Sequence, residues 1–108
     1  MAQVAAVTQK FVDALNEKLA DERIRFEAEA GRRFDQIVTQ DPREGGGVGR
    51  SSFAFVERET AYLIKSGGWK QPARYSGILA VRYHLGTDDG FTHAIESADR
   101  HGGFLYVR

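Results

Sequence analysis

The stretch FAFVERETAYLIKSGGWKQPARYSGILAVRYHL, residues 53–85, decides the fold of this chain. Residues 51–58 and 61–65 are rich in β-branched and aromatic side chains and are separated by a short polar turn, a pattern typical of a β-hairpin. Residues Ser66–Gly68 are expected to end the hairpin. The apolar residues 77–85 predict a further strand, although their first part, Ile78 to Val81, also fits a helical turn. The stretch therefore predicts the centre of an antiparallel sheet.

The chain before this stretch predicts one helix followed by two strands. Apolar residues recur at helical spacing over residues 4–19, which predicts an amphipathic helix of about five turns that packs on the core or on another subunit. From Arg23 apolar and charged residues alternate, as in a strand with one buried face, and Gly31 permits a turn into a return strand over residues 32–40. The glycine-rich residues 41–50 predict a mobile hairpin loop, because a phosphate-binding glycine loop would lead into a helix rather than a strand.

The chain after this stretch predicts a second, shorter helix and a terminal strand. Thr87 offers an N-cap, the apolar residues from Phe91 to Ala98 fall on one helical face, and Gly102 is placed to end the helix. Residues 104–107 then predict a strand. With 108 residues, the chain is expected to form a single α+β domain over residues 1–108, an antiparallel sheet covered on one face by two helices.

The charges of the chain balance, which limits what it binds. Fifteen Lys and Arg residues stand against fifteen Asp and Glu residues, so no global field attracts long nucleic acid or an acidic membrane. Residues 65–108 carry six cations, four anions and all three histidines. This second half is the expected anion-binding part of the chain.

Cysteine usage and hydropathy bear on where the protein acts. The chain has no cysteine and therefore neither a disulfide framework nor a thiolate zinc site. It has no run of about 20 apolar residues and no secretory leader pattern. A cytoplasmic location is expected, with no membrane partner.

The residue patterns of common enzyme sites are absent from the sequence. His84, His93 and His101 lack the i, i+4 spacing of a helical zinc pair, and no serine lies in a GxSxG motif. The neighbouring carboxylates Asp88–Asp89 and Glu96 with Asp99 are explained by helix capping and a solvated helix face. The sequence therefore predicts a protein that is not an enzyme and that needs neither a metal ion nor a cofactor.

Aromatic side chains beside arginines point instead to nucleotide binding. Rings stack on bases, and guanidinium groups take phosphate oxygens two at a time. Trp69 lies in a glycine–proline loop, where an exposed indole is expected to stack on a base while Arg82, Arg100 or both hold phosphate. The alternative is that Trp69 and Tyr83 are core residues covered by the aliphatic stems of arginines. Composition alone does not separate the two.

A series of short motifs resembles a family of small phage proteins. In chain order the motifs are Gly31-Arg32-Arg33-Phe34 with Ile37-Val38, Phe55-Val56-Glu57, Trp69-Lys70 with Pro72-Ala73-Arg74, Arg82-Tyr83-His84-Leu85, and Ala98-Asp99 with Gly102-Gly103-Phe104-Leu105-Tyr106. The corresponding family patterns are G-R-K-Y, F-V-D-x-x-T-G-D-V-Y-K, W-K-x-P-A-K, R-Y-N-L and A-D-x-x-G-G-Y-L-Y. Over about residues 24–107 the chain resembles the first type of Thoeris anti-defence protein, phage sponges that sequester cyclic ADP-ribose isomers made by bacterial TIR enzymes.

The resemblance implies a homo-oligomer that captures a nucleotide immune signal without cleaving it, in the cytoplasm of an infected bacterium. It implies that Trp69 stacks on the base and that His84, which replaces a family asparagine, is a polar ligand contact. The expected ligand-binding residues are Trp69, Lys70, Arg74, Arg82, Tyr83, His84 and Arg100. The resemblance also implies a separate site for small cyclic oligonucleotides. The alternative function is a small phage module that binds nucleic acid or inhibits a host protein.

The chain departs from the family patterns at two further places. The T-G-D turn of the family is Thr60-Ala61-Tyr62 here, and the segment between Pro72 and Arg82 is longer. A longer segment is expected to reshape the wall of the ligand pocket.

Overall fold

A computed structural model of the chain describes residues 3–42, 48–99 and 105. In chain order the elements are α1 (Ala6–Lys18), a short 3-10 helix (Ala20–Glu22), β1 (Arg25–Glu29), β2 (Phe34–Pro42), β3 (Val48–Glu57), β4 (Tyr62–Gly68), β5 (Gln71–Pro72), β6 (Arg74–Tyr75), β7 (Ile78–Leu79), β8 (Val81–His84) and α2 (Asp88–Ser97). The antiparallel sheet and the two helices pack together as one α+β unit. The predicted fold class is confirmed.

The strands β1 to β5 lie side by side in chain order, and β8 joins the sheet as a second partner of β4. The predicted hairpin is confirmed by the antiparallel pairing of β3 with β4, in which Phe55 lies opposite Ile64. β4 continues to Gly68, whereas the sequence predicted that Ser66 and the two glycines end it. The first half of β4 pairs with β8 and the second half with β5. The strands β5 and β8 therefore lie along the same edge of β4.

The predicted strand over residues 77–85 is divided in two at Ala80. β7 pairs with β6 in a separate hairpin, whereas β8 pairs with β4, so the helical-turn alternative is excluded. Ala80 N donates to Ala73 O at 2.9 Å, and both alanines bond to the backbone of Lys65 at 2.8 and 3.1 Å. The segment that is longer than in the resembling phage family thus forms the β6–β7 hairpin, anchored on β4.

The turn between β3 and β4 holds Ala61 in the left-handed region, with a φ of 63°. A side chain with a Cβ rarely adopts this conformation, whereas glycine does so at no steric cost. Ala61 N donates to Glu57 O at 2.8 Å, and the hydroxyl of Thr60 donates to Glu57 Oε1 at 2.7 Å. The turn therefore has a geometry that suits the glycine of the resembling T-G-D motif better than the alanine present here.

Both helices cover the same face of the sheet and enclose the main core. Phe11 of α1 meets Phe91 of α2 edge to face with ring centroids 5.7 Å apart, and Phe26 of β1 meets Phe53 of β3 at 4.9 Å. The buried residues of this core are Phe11, Val12, Leu15, Leu19, Ile24, Phe26, Ile37, Phe53, Ala54, Val56, Leu63, Leu85, Ala94, Ala98 and Leu105. Phe11 and Leu15 are fully buried. This part of the apolar face of α1 therefore serves the chain's own core rather than a subunit contact.

The start of α1 is fixed by a buried carboxylate in β2. Asp35 is fully buried, and its Oδ2 accepts hydrogen bonds of 2.8 Å from Ala5 N and from the hydroxyl of Thr8. Its other oxygen pairs with Arg58. Ala5 has no side-chain cap, so Asp35 satisfies a backbone N–H that would otherwise be unpaired at the helix start. α1 has 13 residues and is shorter than the predicted five turns.

Two further side chains attach α1 to its neighbours. Asn16 accepts a 2.8 Å hydrogen bond from Phe26 N and donates a 2.9 Å bond to Phe26 O. Lys18 Nζ donates at 2.6, 2.8 and 3.0 Å to three carbonyls at the end of α2, those of Ile95, Glu96 and Ala98. A cation at this position stabilises the negative end of the helix dipole.

The predicted N-cap of α2 is confirmed, because the hydroxyl of Thr87 accepts a 3.0 Å hydrogen bond from Gly90 N. α2 ends at Ser97, earlier than the predicted end near Gly102. Gly102 itself lies outside the described residues. The next chain segment is described only at Leu105, whose side chain is buried in the main core.

Two other predicted segments are only partly described. The predicted loop over residues 41–50 is strand at both ends, where Pro42 pairs with Val48, and residues 43–47 lie outside the described part of the chain. The predicted terminal strand over residues 104–107 also lies outside it, except for Leu105.

The face of the sheet away from the helices is partly closed by the turn between β4 and β5. Phe55 and Ile64 are 4% and 0% exposed although neither belongs to the main core. Side chains alternate along a strand, so both lie on the side opposite to Ala54 and the helices. Lys70 and Pro72 line a cleft together with Phe55. The turn therefore folds over this second face.

Candidate ligand-binding site

Trp69 lies in the tight turn that connects β4 to β5. Gly68 pairs with Gln71 across the turn, and Lys70 adopts a left-handed φ of 65° to complete it. At this position 49% of Trp69 is exposed. The core alternative is therefore excluded for Trp69. Tyr83, in contrast, is partly buried and packs against the main core.

Two cations flank the indole of Trp69. The guanidinium carbon of Arg50 lies 5.5 Å from the ring centroid, and Lys70 Nζ lies 5.8 Å from it. Glu29 joins the two cations, because its oxygens accept from Arg50 at 2.6 Å and from Lys70 at 2.9 Å. The hydrogen bonds from Lys70 and Arg50 hold the pKa of Glu29 below its usual value. The carboxylate is therefore charged at neutral pH, and one positive charge remains beside the ring.

A cleft of about 190 Å³ lies between this turn and the turn from β1 to β2. It is lined by Glu29, Ala30, Gly31, Arg32, Arg33, Phe34, Gln36, Phe55, Lys70 and Pro72. The fold thus brings the Gly31-Arg32-Arg33-Phe34 motif next to the Trp69-Lys70 motif, which the sequence places far apart. Gly31 is required here, because a Cβ at this position would lie 2.2 Å from Phe34 O.

Arg33 is held in place at the edge of this cleft. Its Nε and Nη2 bond to Glu57 Oε2 at 2.9 and 2.8 Å, and its guanidinium lies 4.9 Å from the ring centroid of Phe34. The hydroxyl of Thr60 and the guanidinium of Arg33 keep the pKa of Glu57 low. Arg33 is therefore oriented by a charged partner while its side chain stays 59% exposed.

The other expected site residues that the structure describes do not line this cleft. Arg74 is exposed on the β6–β7 hairpin and donates to Gly77 O at 3.3 Å. Arg82 donates through Nε to Leu105 O at 2.6 Å, and its guanidinium lies 5.9 Å from the ring of Tyr75. The structure therefore associates Arg74 and Arg82 with the β6–β7 hairpin.

Tyr83 and His84 lie on opposite sides of β8, as adjacent residues of a strand do. Tyr83 points toward α2 and meets the ring of His93 edge to face at 5.4 Å. His84 is exposed and meets the ring of Tyr62 at 4.7 Å. Tyr83 and His84 therefore cannot line the same pocket on one face of the sheet. Arg100 lies outside the described residues.

The sequence did not indicate Glu29, Arg50 or Gln36 as site residues. Glu29 and Arg50 fit the charged positions of ordinary strands, and the pairing of distant strands brings them to Trp69. The alternation in β1 could have placed Glu29 on the open face, but its contact with Lys70 depends on the fold of the β4–β5 turn.

A second, larger cleft of about 510 Å³ is lined by Gln3, Val4, Gln9, Ala28 and Ala30. None of these residues is charged, so this cleft is less suited to an anionic ligand. Among residues 3–42, 48–99 and 105, no group of three His, Asp or Glu side chains could hold a metal ion. Neither helix of that part of the chain is long and apolar enough to cross a membrane.

Comparison with known proteins gives one family. No curated protein and no solved structure matches the chain. Over residues 1–107 the chain matches DUF7717, which is described as a family of unknown function. Because the match spans nearly the whole sequence, the chain belongs to the DUF7717 family.

Proposed function

We propose that this protein binds a nucleotide immune signal and holds it without cleaving it. A cyclic ADP-ribose isomer made by a bacterial TIR enzyme is the first candidate ligand, and a small cyclic oligonucleotide is the second. In this proposal the protein is a homo-oligomeric phage anti-defence protein in the cytoplasm of the infected bacterium. The observation that carries the proposal is the half-exposed indole of Trp69 between Arg50 and Lys70, next to the cleft that Lys70 lines.

The chemistry of this surface suits a ligand that combines a base with phosphate. A base that stacks on an aromatic side chain gains roughly 1–3 kcal/mol. The charged residues that line the cleft are Arg32, Arg33 and Lys70 against the single carboxylate of Glu29. A local excess of cations within a chain of zero net charge favours a small anion over a long polyanion.

The side chains that line the cleft are consistent with a protein that binds a nucleotide without cleaving it. The residues that line it include no serine, threonine or histidine that could act as a nucleophile or a proton shuttle. Its one carboxylate, Glu29, is a poor general base, because Lys70 and Arg50 hold its pKa low. A sequestering role therefore needs no group beyond those present.

The proposal is tested by ligand capture from cell lysate. The purified protein is incubated with lysate from bacteria with active TIR signalling, washed and heated, and the released nucleotides are identified by mass spectrometry. Trp69→Ala is expected to release about ten- to a hundredfold less ligand, because it removes the stacking surface. Trp69→Phe is the matched control, since it keeps an aromatic ring at the same position and should capture more ligand than Trp69→Ala.

The proposal requires that the nucleotide returns intact from the wild type and from Trp69→Phe. Trp69→Ala must keep its melting temperature, because Trp69 is not a core residue. Release of a cleaved product that buffer controls lack would favour an enzyme. Equal capture by Trp69→Ala and the wild type would remove Trp69 from the site.

A further inference from the structure

The cleft contains a buried polar atom whose hydrogen-bonding capacity is unused. Gln36 of β2 is 3% exposed, and within residues 3–42, 48–99 and 105 its Oε1 has no hydrogen-bond partner. Its Nε2 donates to Ser52 Oγ of β3 at 2.9 Å. Buried acceptors are nearly always paired, because an unpaired one loses its bond to water without replacement. A partner for Oε1 is therefore expected from outside these residues.

The Gln36 amide lies beside two hydroxyl groups. Ser66 Oγ lies 2.8 Å from Ser52 Oγ and 3.1 Å from Gly68 O. In the structure the Nε2 end of the amide donates to Ser52 Oγ, so Oε1 is the end of the amide that has no partner.

The size and the walls of the cleft restrict what reaches this oxygen. The rings of Phe34 and Phe55 line the cleft, with centroids 6.3 Å apart and planes at 80°. The volume of about 190 Å³ is below the roughly 300–1,000 Å³ of pockets that hold a whole drug-sized ligand. The cleft therefore suits one edge of an aromatic ring system, with the rest of the ligand outside, beside the turn that carries Trp69.

We infer that this cleft takes the amino-bearing edge of a nucleobase, with an exocyclic N–H donating to Gln36 Oε1. The inference rests on the proposed nucleotide binding and names the part of the ligand that enters the cleft; the adenine of a cyclic ADP-ribose isomer meets the requirement. The phosphates of such a ligand stay at the rim, where Arg32, Arg33 and Lys70 lie.

Entry of the base requires a small displacement, because Gln36 Oε1 is shielded from solvent. Lys70 is the side chain of the cleft best able to move, since it is 60% exposed and paired with a carboxylate that is itself 35% exposed. Exposed ion pairs of this kind contribute little to stability. A phosphate replaces Glu29 as the partner of Lys70 when the cleft opens.

The test compares two nucleotides that differ only in the amino group, AMP and purine riboside 5′-monophosphate, by calorimetric titration of the full chain. The wild type is expected to bind AMP about tenfold more tightly, the effect of one hydrogen bond to a buried acceptor. Gln36→Met keeps the length of the side chain and removes the acceptor, so it should bind both nucleotides equally. Gln40→Met is the matched control on the same strand and should keep the tenfold preference.

Stability gives a second readout that does not depend on the ligand. Gln36→Met removes the unpaired acceptor together with the bond from Nε2 to Ser52 Oγ, so its melting temperature should fall by no more than the loss of that one neutral hydrogen bond requires. A larger loss of stability would show that Oε1 is already satisfied in the free protein and would overturn the inference. Equal binding of both nucleotides by the wild type would also overturn it and leave nucleotide binding intact. Binding of neither nucleotide would overturn the inference too, and the lysate capture would then decide the proposed function separately.

Discussion

The hydroxyl of Thr8 in α1 donates a 2.8 Å hydrogen bond to the carboxylate of Asp35 in β2, and both residues are fully buried. A buried carboxylate is tolerated only when it is paired and its oxygens are hydrogen-bonded. Asp35 meets this condition through Thr8, Ala5 N and the guanidinium of Arg58. The position of α1 on the sheet is therefore set by a polar contact as well as by the core.

Thr8→Val tests this contact, because valine has nearly the same shape and lacks the hydroxyl. We expect it to lower the free energy of unfolding by roughly 1.5–3 kcal/mol, the range for hydrogen bonds to charged groups. Urea unfolding followed by circular dichroism measures the change. Thr92→Val, at an exposed position of α2, is the control and should change stability by less than about 0.5 kcal/mol. Equal effects of the two substitutions would contradict the role of Thr8.

Ala61→Gly is expected to stabilise the protein, which is unusual for a glycine substitution. The left-handed φ of 63° costs a residue with a Cβ roughly 1–2 kcal/mol, and the greater freedom of unfolded glycine offsets about half of that gain. A rise in melting temperature of a few degrees should result. Ala14→Gly inside α1 is the matched control, and it should lower the melting temperature because glycine weakens a helix. A lower melting temperature for Ala61→Gly would argue against the left-handed turn.

The stability of the protein should fall in acid partly through Glu57, which is 8% exposed. Bonds from Thr60 and Arg33 make its pKa in the folded state lower than the unfolded value near 4.5. Its contribution is therefore fully present above that unfolded value and is lost as the pH falls through the lowered folded value. Glu57→Gln should lower stability at pH 7 and flatten the loss of stability as the pH falls below the unfolded value near 4.5, as measured by unfolding at each pH. Glu59→Gln, at an exposed neighbour, should leave the acid profile unchanged.

The homo-oligomer that we propose is expected to use the β6–β7 hairpin. Tyr75 and Ile78 of the hairpin are 56% and 72% exposed, and Val81 at the start of β8 is 38% exposed, which gives an apolar surface that a partner would cover. Light scattering at tens of micromolar should give at least a dimer. Ile78→Asp should shift the protein toward the monomer, because assembly would bury the new charge. A monomeric wild type would contradict both the assembly and the family resemblance.

The helices and the central hairpin could be predicted because their signals are local. The alternation in β1, the capping by Thr87 and the paired runs of β3 and β4 all lie within short windows of sequence. The burial of Asp35 and Gln36 is not predicted by such local signals. They are adjacent polar residues of one strand, and a polarity pattern assigns both to solvent, yet both are buried, on opposite faces of the sheet.

The candidate site depends on contacts between distant segments. Three strands, β2 to β4, lie between Glu29 and Lys70 in the sequence. Their ion pair forms because β5 folds back along β4. The path of β5 depends on which strands pair with the edge of β4. No short stretch of the sequence indicates that pairing. The sequence singles out Trp69 and Lys70 as candidate binding residues, whereas it gives no indication of Glu29 or Arg50 beside them.

The bonds between Asn16 and the backbone of Phe26 bear on how this protein avoids polymerising. β1 is the outermost strand at its end of the sheet, and an unpaired strand edge is a template for the strand of another molecule. The Asn16 amide occupies both the donor and the acceptor of Phe26, near the start of that edge, as a neighbouring strand would. An incoming chain would have to displace α1 before it could add to β1. Around Phe26, this side of the sheet is thus protected against the addition of another chain.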